Sequence, residues 1–326
     1  MARIEVEPLS WDAIDAADWD DMVRASGGSY QAAYAKLAPW RRFQRMSGAR
    51  VSLLELRWEG LAIGVCVLSQ KGGVARIRER IMLLPEHEDL WPEAMAAILA
   101  HVGPGRYSYG RSTSIAPARE AQIARLPGVT IASTSPYLIQ AVDFGAFDDW
   151  DHYWTGLKGN IRRNLRRASE EYALDLQCQR GNAILGSLPA FALAIARQKH
   201  RKGALRATLA DARAIAMTAT GMGHSARLLR ATSGSNNLAW QFHVSFGRDD
   251  YYVAGAARRL QPSPAWWLTV KALQDAWQRD PDRRVVLGPF YPHLHDETLG
   301  GGLLQWRKWC RAQDFPACVV EFDYAA

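Results

Sequence analysis

The chain changes its hydrophobic period twice in the same order, which leaves few architectures open. Residues 51–56 and 61–68 are apolar and rich in β-formers, and Trp58-Glu59-Gly60 between them reads as a turn. A third strand is predicted over residues 75–83, after Gly72-Gly73 and before Pro85. Residues 91–102 read as a helix, with Pro92 in its first turn and Met95, Ile98 and Leu99 facing inward. Gly103-Pro104-Gly105 breaks it. A short strand (107–110), a helix (117–126) and strands at 129–132 and 137–144 follow. The order then recurs. Residues 225–231, 238–246 and 251–258 read as three antiparallel strands, turned by Asn236-Asn237 and Arg248-Asp249-Asp250. Ser263-Pro264 opens a helix, with Ser as N-cap, Pro at the first position and a stripe of Trp266, Val270, Leu273 and Trp277. A strand (285–288), a helix (303–312) and a last strand (318–322) complete it. The pattern predicts an α/β protein with mixed sheets, built as two similar lobes. A helical region over residues 10–46 leads into it, with Trp11, Ile14, Trp19, Met22 and Val23 as candidate core positions.

Between the repeats, residues 150–220 read as a helical insert, so the lobes are expected at residues 1–145 and 146–326. The insert carries Leu157-Lys158-Gly159-Asn160-Ile161-Arg162-Arg163-Asn164-Leu165-Arg166-Arg167-Ala168, with five cations and no acid. Ile161, Leu165 and Ala168 recur at helical spacing, so one face is apolar and the rest positive. Such a helix sits on a core and faces something anionic, or only water. Arg162, Arg163, Arg166 and Arg167 fall on two neighbouring faces and cannot all meet one phosphate. Lys199, His200, Arg201, Lys202 and Arg206 extend the positive surface at the end of the next helix.

A length of 326 residues is ample for two cores, and a net charge of +7 favours anionic partners without naming one. Cys66, Cys178, Cys310 and Cys318 form no CxxC pair and are expected to be buried, reduced thiols rather than a zinc site. No signal-peptide pattern and no bilayer-length apolar run is present, so a soluble, cytoplasmic protein without a membrane span is expected.

The repeated order resembles that of the GNAT acyltransferase fold. Two copies, the second with a helical insert, resemble the FemABX-like aminoacyl and acyl transferases. Trp154-Thr155-Gly156-Leu157, leading into the arginine run, resembles the family's basic helix. Tyr251-Tyr252-Val253-Ala254-Gly255-Ala256 resembles its central strand, which ends at the phosphate-facing helix. Gly300-Gly301-Gly302-Leu303-Leu304-Gln305-Trp306-Arg307-Lys308-Trp309 resembles its late segment of glycine, an aromatic-lysine pair and another aromatic. Ser29-Tyr30-Gln31 resembles its early aromatic-Gln motif. Arg307 stands where the family shows Lys, with Lys308 next to it. Gln261-Pro262-Ser263-Pro264 replaces the glycine-spaced loop through which backbone amides approach a pyrophosphate.

The resemblance implies two GNAT-like lobes, the second with a helical insert. It implies transfer of an aminoacyl group from aminoacyl-tRNA to an amine-bearing small molecule or peptidoglycan precursor, with no resident cofactor. An acyl-CoA or acyl-carrier donor is the alternative, although the missing glycines speak against simple acetyl-CoA use. A non-enzymatic basic nucleic-acid-binding protein is a second alternative, weakened by the lack of RRM, zinc-finger and helix-turn-helix signatures.

Acyl transfer to an amine needs the donor carbonyl held, the developing oxyanion stabilised and the amine deprotonated. On the resemblance, Arg307 or Lys308 stabilises the oxyanion; an arginine there acts by charge, not as a base. Tyr291-Pro292-His293-Leu294-His295-Asp296-Glu297 is dense in titratable groups, and His295, Asp296 and Glu297 are the candidate bases. His293 and His295 announce no third ligand, so no metal is expected. Arg162, Arg163, Arg166, Arg167, Tyr252, Trp266 and Trp306 are the candidates for substrate binding. Lys199, Arg201, Lys202, Arg206 and Ser263 are those for tRNA or donor phosphate, with Trp154 able to stack on a base. The working cleft is expected in the second lobe, where the motifs are denser.

Overall fold

The computed structural model describes residues 3–46, 48–201, 208–291 and 305–325. The chain begins with β1 (Glu5–Leu9), α1 (Ala16–Ala25) and α2 (Tyr34–Met46). The first repeat is β2 (Arg50–Trp58), β3 (Leu61–Lys71), β4 (Val74–Leu83), α3 (Trp91–Val102), β5 (Gly105–Tyr109), α4 (Glu120–Ile123) and β6 (Val129–Asp143). The insert contains α5 (Trp150–Thr155), α6 (Gly159–Tyr172), β7 (Asp175–Arg180), α7 (Ile184–Arg201) and α8 (Thr208–Met222). The second repeat is β8 (Ala226–Ser233), β9 (Asn236–Phe246), β10 (Asp249–Ala257), α9 (Pro264–Arg279), β11 (Arg284–Phe290) and, after a helical turn at residues 305–309, β12 (Gln313–Tyr324). The fold is α/β with mixed sheets. Among the described residues, no helix is long and apolar enough to cross a membrane.

The chain divides into two compact units. The first is Met1–Ile139, Pro289–Leu294 and Phe315–Ala326, and the second is Gln140–Gly288 and His295–Asp314. In the first unit the strand order is β1-β2-β3-β4-β5-β12-β6. The β2-β3-β4 meander is antiparallel, and α3 carries the chain over to β5, which runs parallel to β4. That crossover is favourable because α3 buries Trp91, Met95, Ile98 and Leu99 against Leu54, Ile63, Tyr107 and Phe322. In the second unit the order runs from the end of β6 through β11, β10, β9 and β8 to β7. β8, β9 and β10 are antiparallel, and β11 runs parallel to β10. Here α9 buries Trp267, Leu268, Val270 and Leu273, and α6 lays Ile161, Leu165 and Ala168 on the same core.

Several elements differ from the sequence reading. The helix expected over residues 117–126 shrinks to α4, because Pro127 disfavours helix at Leu126 and Gly128 adopts φ of +74°. The strands expected at 129–132 and 137–144 are one strand of 15 residues, since nothing between them forces a turn. β1 and β7 carry too little hydrophobic alternation to be read from sequence. On α9 Val270 and Leu273 are buried as expected, but Trp267 is buried in place of Trp266, and Trp266 and Trp277 are half-buried. Cys66 and Cys310 are buried, Cys318 is half-buried and Cys178, on β7, is exposed; all four are free thiols.

Candidate functional site

α6 presents its cations as its periodicity demands. With Ile161, Leu165 and Ala168 buried, Arg163, Arg166 and Arg167 are exposed and Arg162 is half-buried. Arg162 and Arg166, one turn apart, line a groove of about 390 Å³ with Trp150, Trp154, Trp267 and Lys271. Arg163 and Arg167 occupy the neighbouring face, where Arg167 lies 3.8 Å from Glu171. A smaller hollow of about 250 Å³ lies at the start of α9, lined by Asn160, Asn164, Gln261, Ser263, Trp266 and Trp309. Ser263 is the N-cap of α9, but its hydroxyl makes no capping bond, and its N–H donates to Asn164 Oδ1 at 3.1 Å. The aromatic candidates do meet: Tyr252 and Trp306 rings lie 5.9 Å apart, Trp266 and Trp306 6.3 Å, and Trp266 and Trp309 5.6 Å. Burial pushes the Tyr252 phenol up to about 12, against the pull of Arg307.

Arg307 is only 5% exposed. It donates to Leu287 O at 2.8 Å, to Gly288 O at 3.0 Å and to Gln140 Oε1 at 3.1 Å. Burial lowers its guanidinium to about 10, still charged at neutral pH. Lys308, next to it, is exposed. Lys199 is ion-paired with Asp211. Arg201 ends α7, and its side chain lies outside the described residues, as do Lys202, Arg206 and the candidate bases His295, Asp296 and Glu297. Among the described residues, no group of His, Cys, Asp and Glu is arranged to hold a metal ion.

The first unit contains a cavity that the sequence reading did not single out. It measures about 470 Å³ and is lined by Lys71, Arg76, Arg78, Arg111, Glu79 and Tyr291, among others. Three residues of β4, Glu79 to Ile81, bulge opposite the single residue Cys66 of β3. The bulge brings β4 so close to β3 that a Cβ on Gly64 would lie 2.4 Å from Met82 O. Glu79 sits in it at φ of +59°, a backbone conformation suited to glycine, and is 6% exposed. Its Oε2 accepts from Ser29 Oγ and Ser112 Oγ at 2.8 Å and from Thr113 N and Ser114 Oγ at 3.1 Å. A strand reading Arg76-Ile77-Arg78-Glu79-Arg80 between apolar ends is the signal that was available.

No family model matches the sequence, and no curated protein matches it. Solved structures do. FemX superposes with a TM-score of 0.70 at 12% identity, over 98% of this chain and 97% of that one. The C-terminal domain of a protein described as a lysylphosphatidylglycerol synthetase, from Agrobacterium fabrum, gives 0.58 at 11%, over 94% and 91%. A tandem GNAT protein from the clavulanic acid biosynthesis pathway gives 0.55 at 12%, over 98% of both chains. The chain has a FemABX-like, GNAT-type fold.

Within that fold each repeat has the same irregularity. The parallel pairing of β4 with β5 spans only Val74–Arg76 against Arg106–Ser108, and that of β10 with β11 only Asp249–Tyr251 against Arg284–Val286. Beyond those residues the strands part, and the third strand of each meander bulges, at Glu79–Ile81 and at Val253. In the second GNAT-type repeat, the carbonyls of Leu287 and Gly288, just past the last pair, are taken by Arg307, with Tyr252 beside it. In the first, the parting strands supply Arg76, Arg78, Glu79 and Ser108 to the cavity.

Proposed function

We propose that this protein is an N-acyltransferase of the FemABX-like type that moves an aminoacyl group from aminoacyl-tRNA to an amine-bearing small molecule or peptidoglycan precursor. The observation that carries the reading is α6: a buried apolar stripe holds a row of exposed arginines beside a groove walled by Trp150, Trp154 and Trp267. Cations that track a phosphate backbone, next to aromatic rings on which a base can stack, suit the acceptor end of a tRNA. FemX and the protein described as a lysylphosphatidylglycerol synthetase share the fold, which agrees with an aminoacyl donor.

In the reaction the free amine attacks the ester carbonyl of the aminoacyl-tRNA. An amide C–N bond forms, the ester C–O bond breaks, and the terminal ribose hydroxyl leaves with the proton that the amine gives up. Lys308 is the proposed source of positive charge for the oxyanion. Arg307, committed to main-chain carbonyls, is proposed to position β11 and the aromatic wall rather than to meet substrate. His295, Asp296 and Glu297 stay the proposed bases. Arg162 and Arg166 are proposed to hold donor phosphates in the groove and Arg163 and Arg167 to extend that contact, while Tyr252, Trp266 and Trp306 flank the reacting group. At the start of α9, Pro262 and Pro264 have no N–H and that of Ser263 is taken by Asn164, which agrees with a donor other than CoA.

Radiolabelled aminoacyl-tRNA incubated with the protein and a pool of amine acceptors tests the reading. Label in an amide product, and tRNA bound at low salt, are expected. No transfer to any amine together with no tRNA binding at low salt overturns it, and stabilisation by acyl-CoA would point to the other donor.

A further inference from the structure

We propose that the cavity in the first unit is a binding site for a zwitterion, with Glu79 taking an ammonium and Arg76, Arg78 and Arg111 facing a phosphate or carboxylate. It rests on the acyltransferase reading in one respect, since it names the class of amine acceptor that such an enzyme would hold.

Glu79 occupies a bulge position at positive φ, where glycine would fit without strain. A glutamate held there needs compensation, and it comes from two separate stretches: Ser29 ahead of α2, and Ser112, Thr113 and Ser114 after β5. Among the described residues, every donor meets Oε2 and none meets Oε1. One oxygen is thus spent on orientation, while Glu79 lines the cavity. Fixing a carboxylate by hydroxyls and an amide leaves its charge only partly met, by Arg78 nearby.

A neighbouring guanidinium is the obvious counter-charge, and Arg78 supplies part of it, but, among the described residues, without a hydrogen bond. Arg78 lies over the Trp40 ring, 4.5 Å from its centroid. Burial lowers the affinity of Arg78 for its proton; Glu79 opposes the shift, and the charges of Arg111 and Arg76 add to it. Among the described residues, none of the three donates a hydrogen bond to Glu79. A cavity of about 470 Å³ lined by Lys71, three guanidiniums and the carboxylate residues Glu79 and Glu321 is complementary to a small molecule carrying both charges. A plain dianion would leave Glu79 facing like charge, and a plain amine would leave the guanidiniums unmatched.

Calorimetry on the full chain tests this with O-phosphoethanolamine, inorganic phosphate and ethanolamine, and with β-alanine against propionate to separate phosphate from carboxylate ligands. Phosphoethanolamine or β-alanine is expected to bind about tenfold more tightly than its amine-free partner, the effect of one charge-assisted contact. Glu79→Gln is expected to erase that advantage and leave phosphate binding in place. Arg111→Met, at an exposed position, is expected to weaken both anions and keep the ratio. Equal affinities for the zwitterion and the anion, or a ratio unchanged in Glu79→Gln, overturn the proposal. Should Glu79→Gln not fold, Glu79→Asp, which withdraws the carboxylate by one methylene, must lower the ratio, and an unchanged ratio is equally fatal. The measurement uses neither tRNA nor turnover. A failed transfer assay therefore leaves it standing, and its own failure leaves the donor reading of α6 intact.

Discussion

A guanidinium that donates to two main-chain carbonyls and an amide oxygen has little freedom left for chemistry. Arg307 is in that position, and removing it would strand the carbonyls of Leu287 and Gly288 in a buried setting. Arg307→Ala is therefore expected to lower stability by about 3–5 kcal/mol, read from the denaturant midpoint. Lys308→Ala, at an exposed neighbour, is expected to stay within about 0.5 kcal/mol while turnover falls. A silent Arg307→Ala would mean those contacts contribute nothing. A second residue of this kind is His243, on β9 and 2% exposed. Burial lowers it from 6.5 to about 4, with Arg227 and Arg279 adding to the effect and Asp250 opposing it. The folded chain thus binds fewer protons than the unfolded chain between those values. Stability is complete above pH 6.5 and falls as the pH drops toward 4, by on the order of 3 kcal/mol. Asp250 is buried too, but its ion pairs with Arg227 and Arg279, and the charge of His243, hold it down at about 2 against a usual 3.8, so its share is lost only below 3.8. His243→Gln is expected to flatten the upper part of the acid slope, and to shrink the lower part as Asp250 loses the charge of His243. An unchanged slope would place the titration elsewhere.

At the scale of elements, α6 shows what periodicity can and cannot reveal. Ile161, Leu165 and Ala168 were legible as a buried face because helix geometry alone fixes which residues share it. The three-strand meanders were legible because alternation and turn residues agree. Tyr252, Trp266 and Trp306 converge because a strand bulge and two helices bring them together, and only the resemblance, not spacing, named them as a set. Glu79 was not legible, because its environment is assembled from residues 29, 79 and 112–114, and neither a positive φ nor a strand parting leaves a mark in composition. The one available hint was charge inside an apolar strand. For α6 itself the exposed and buried faces make opposite predictions. Replacing Arg163, Arg166 and Arg167 with Ala should leave stability nearly unchanged. It should weaken tRNA binding and flatten its dependence on salt by roughly 0.7–0.9 per lost phosphate contact in a log–log plot. Leu165→Ala should instead cost about 2–5 kcal/mol of stability. A triple variant that binds tRNA with the original salt slope would remove α6 from the donor site.

At the scale of the whole molecule, sequence order and spatial order part at the C-terminus. The repeat reading assigns the last strand to the second half, but Phe315–Ala326 belongs to the first compact unit. There β12 lies between β5 and β6, pairs Val320 with Tyr109 and Tyr324 with Gly105, and stacks Phe322 on Tyr107 at 5.4 Å. Ala325 N donates to Gly128 O, closing the turn before β6. Deleting the residues after Asp314 removes Val320 and Phe322, both buried, from that core. At about 1.5–3 kcal/mol each, with the ladder on either side lost as well, the deletion approaches the 5–15 kcal/mol that holds an ordinary domain together. The second unit keeps Arg307 and its carbonyl partners, the α9 core and α6. Amide hydrogen exchange on the truncated chain is therefore expected to show β2–β5 unprotected and β8–β10 with α9 still protected. The same truncated chain should retain salt-sensitive tRNA binding and lose discrimination of phosphoethanolamine from phosphate. Loss of protection in both units at once would show that they fold as one cooperative body. Retained zwitterion selectivity without β12 would place that site outside the first unit's sheet.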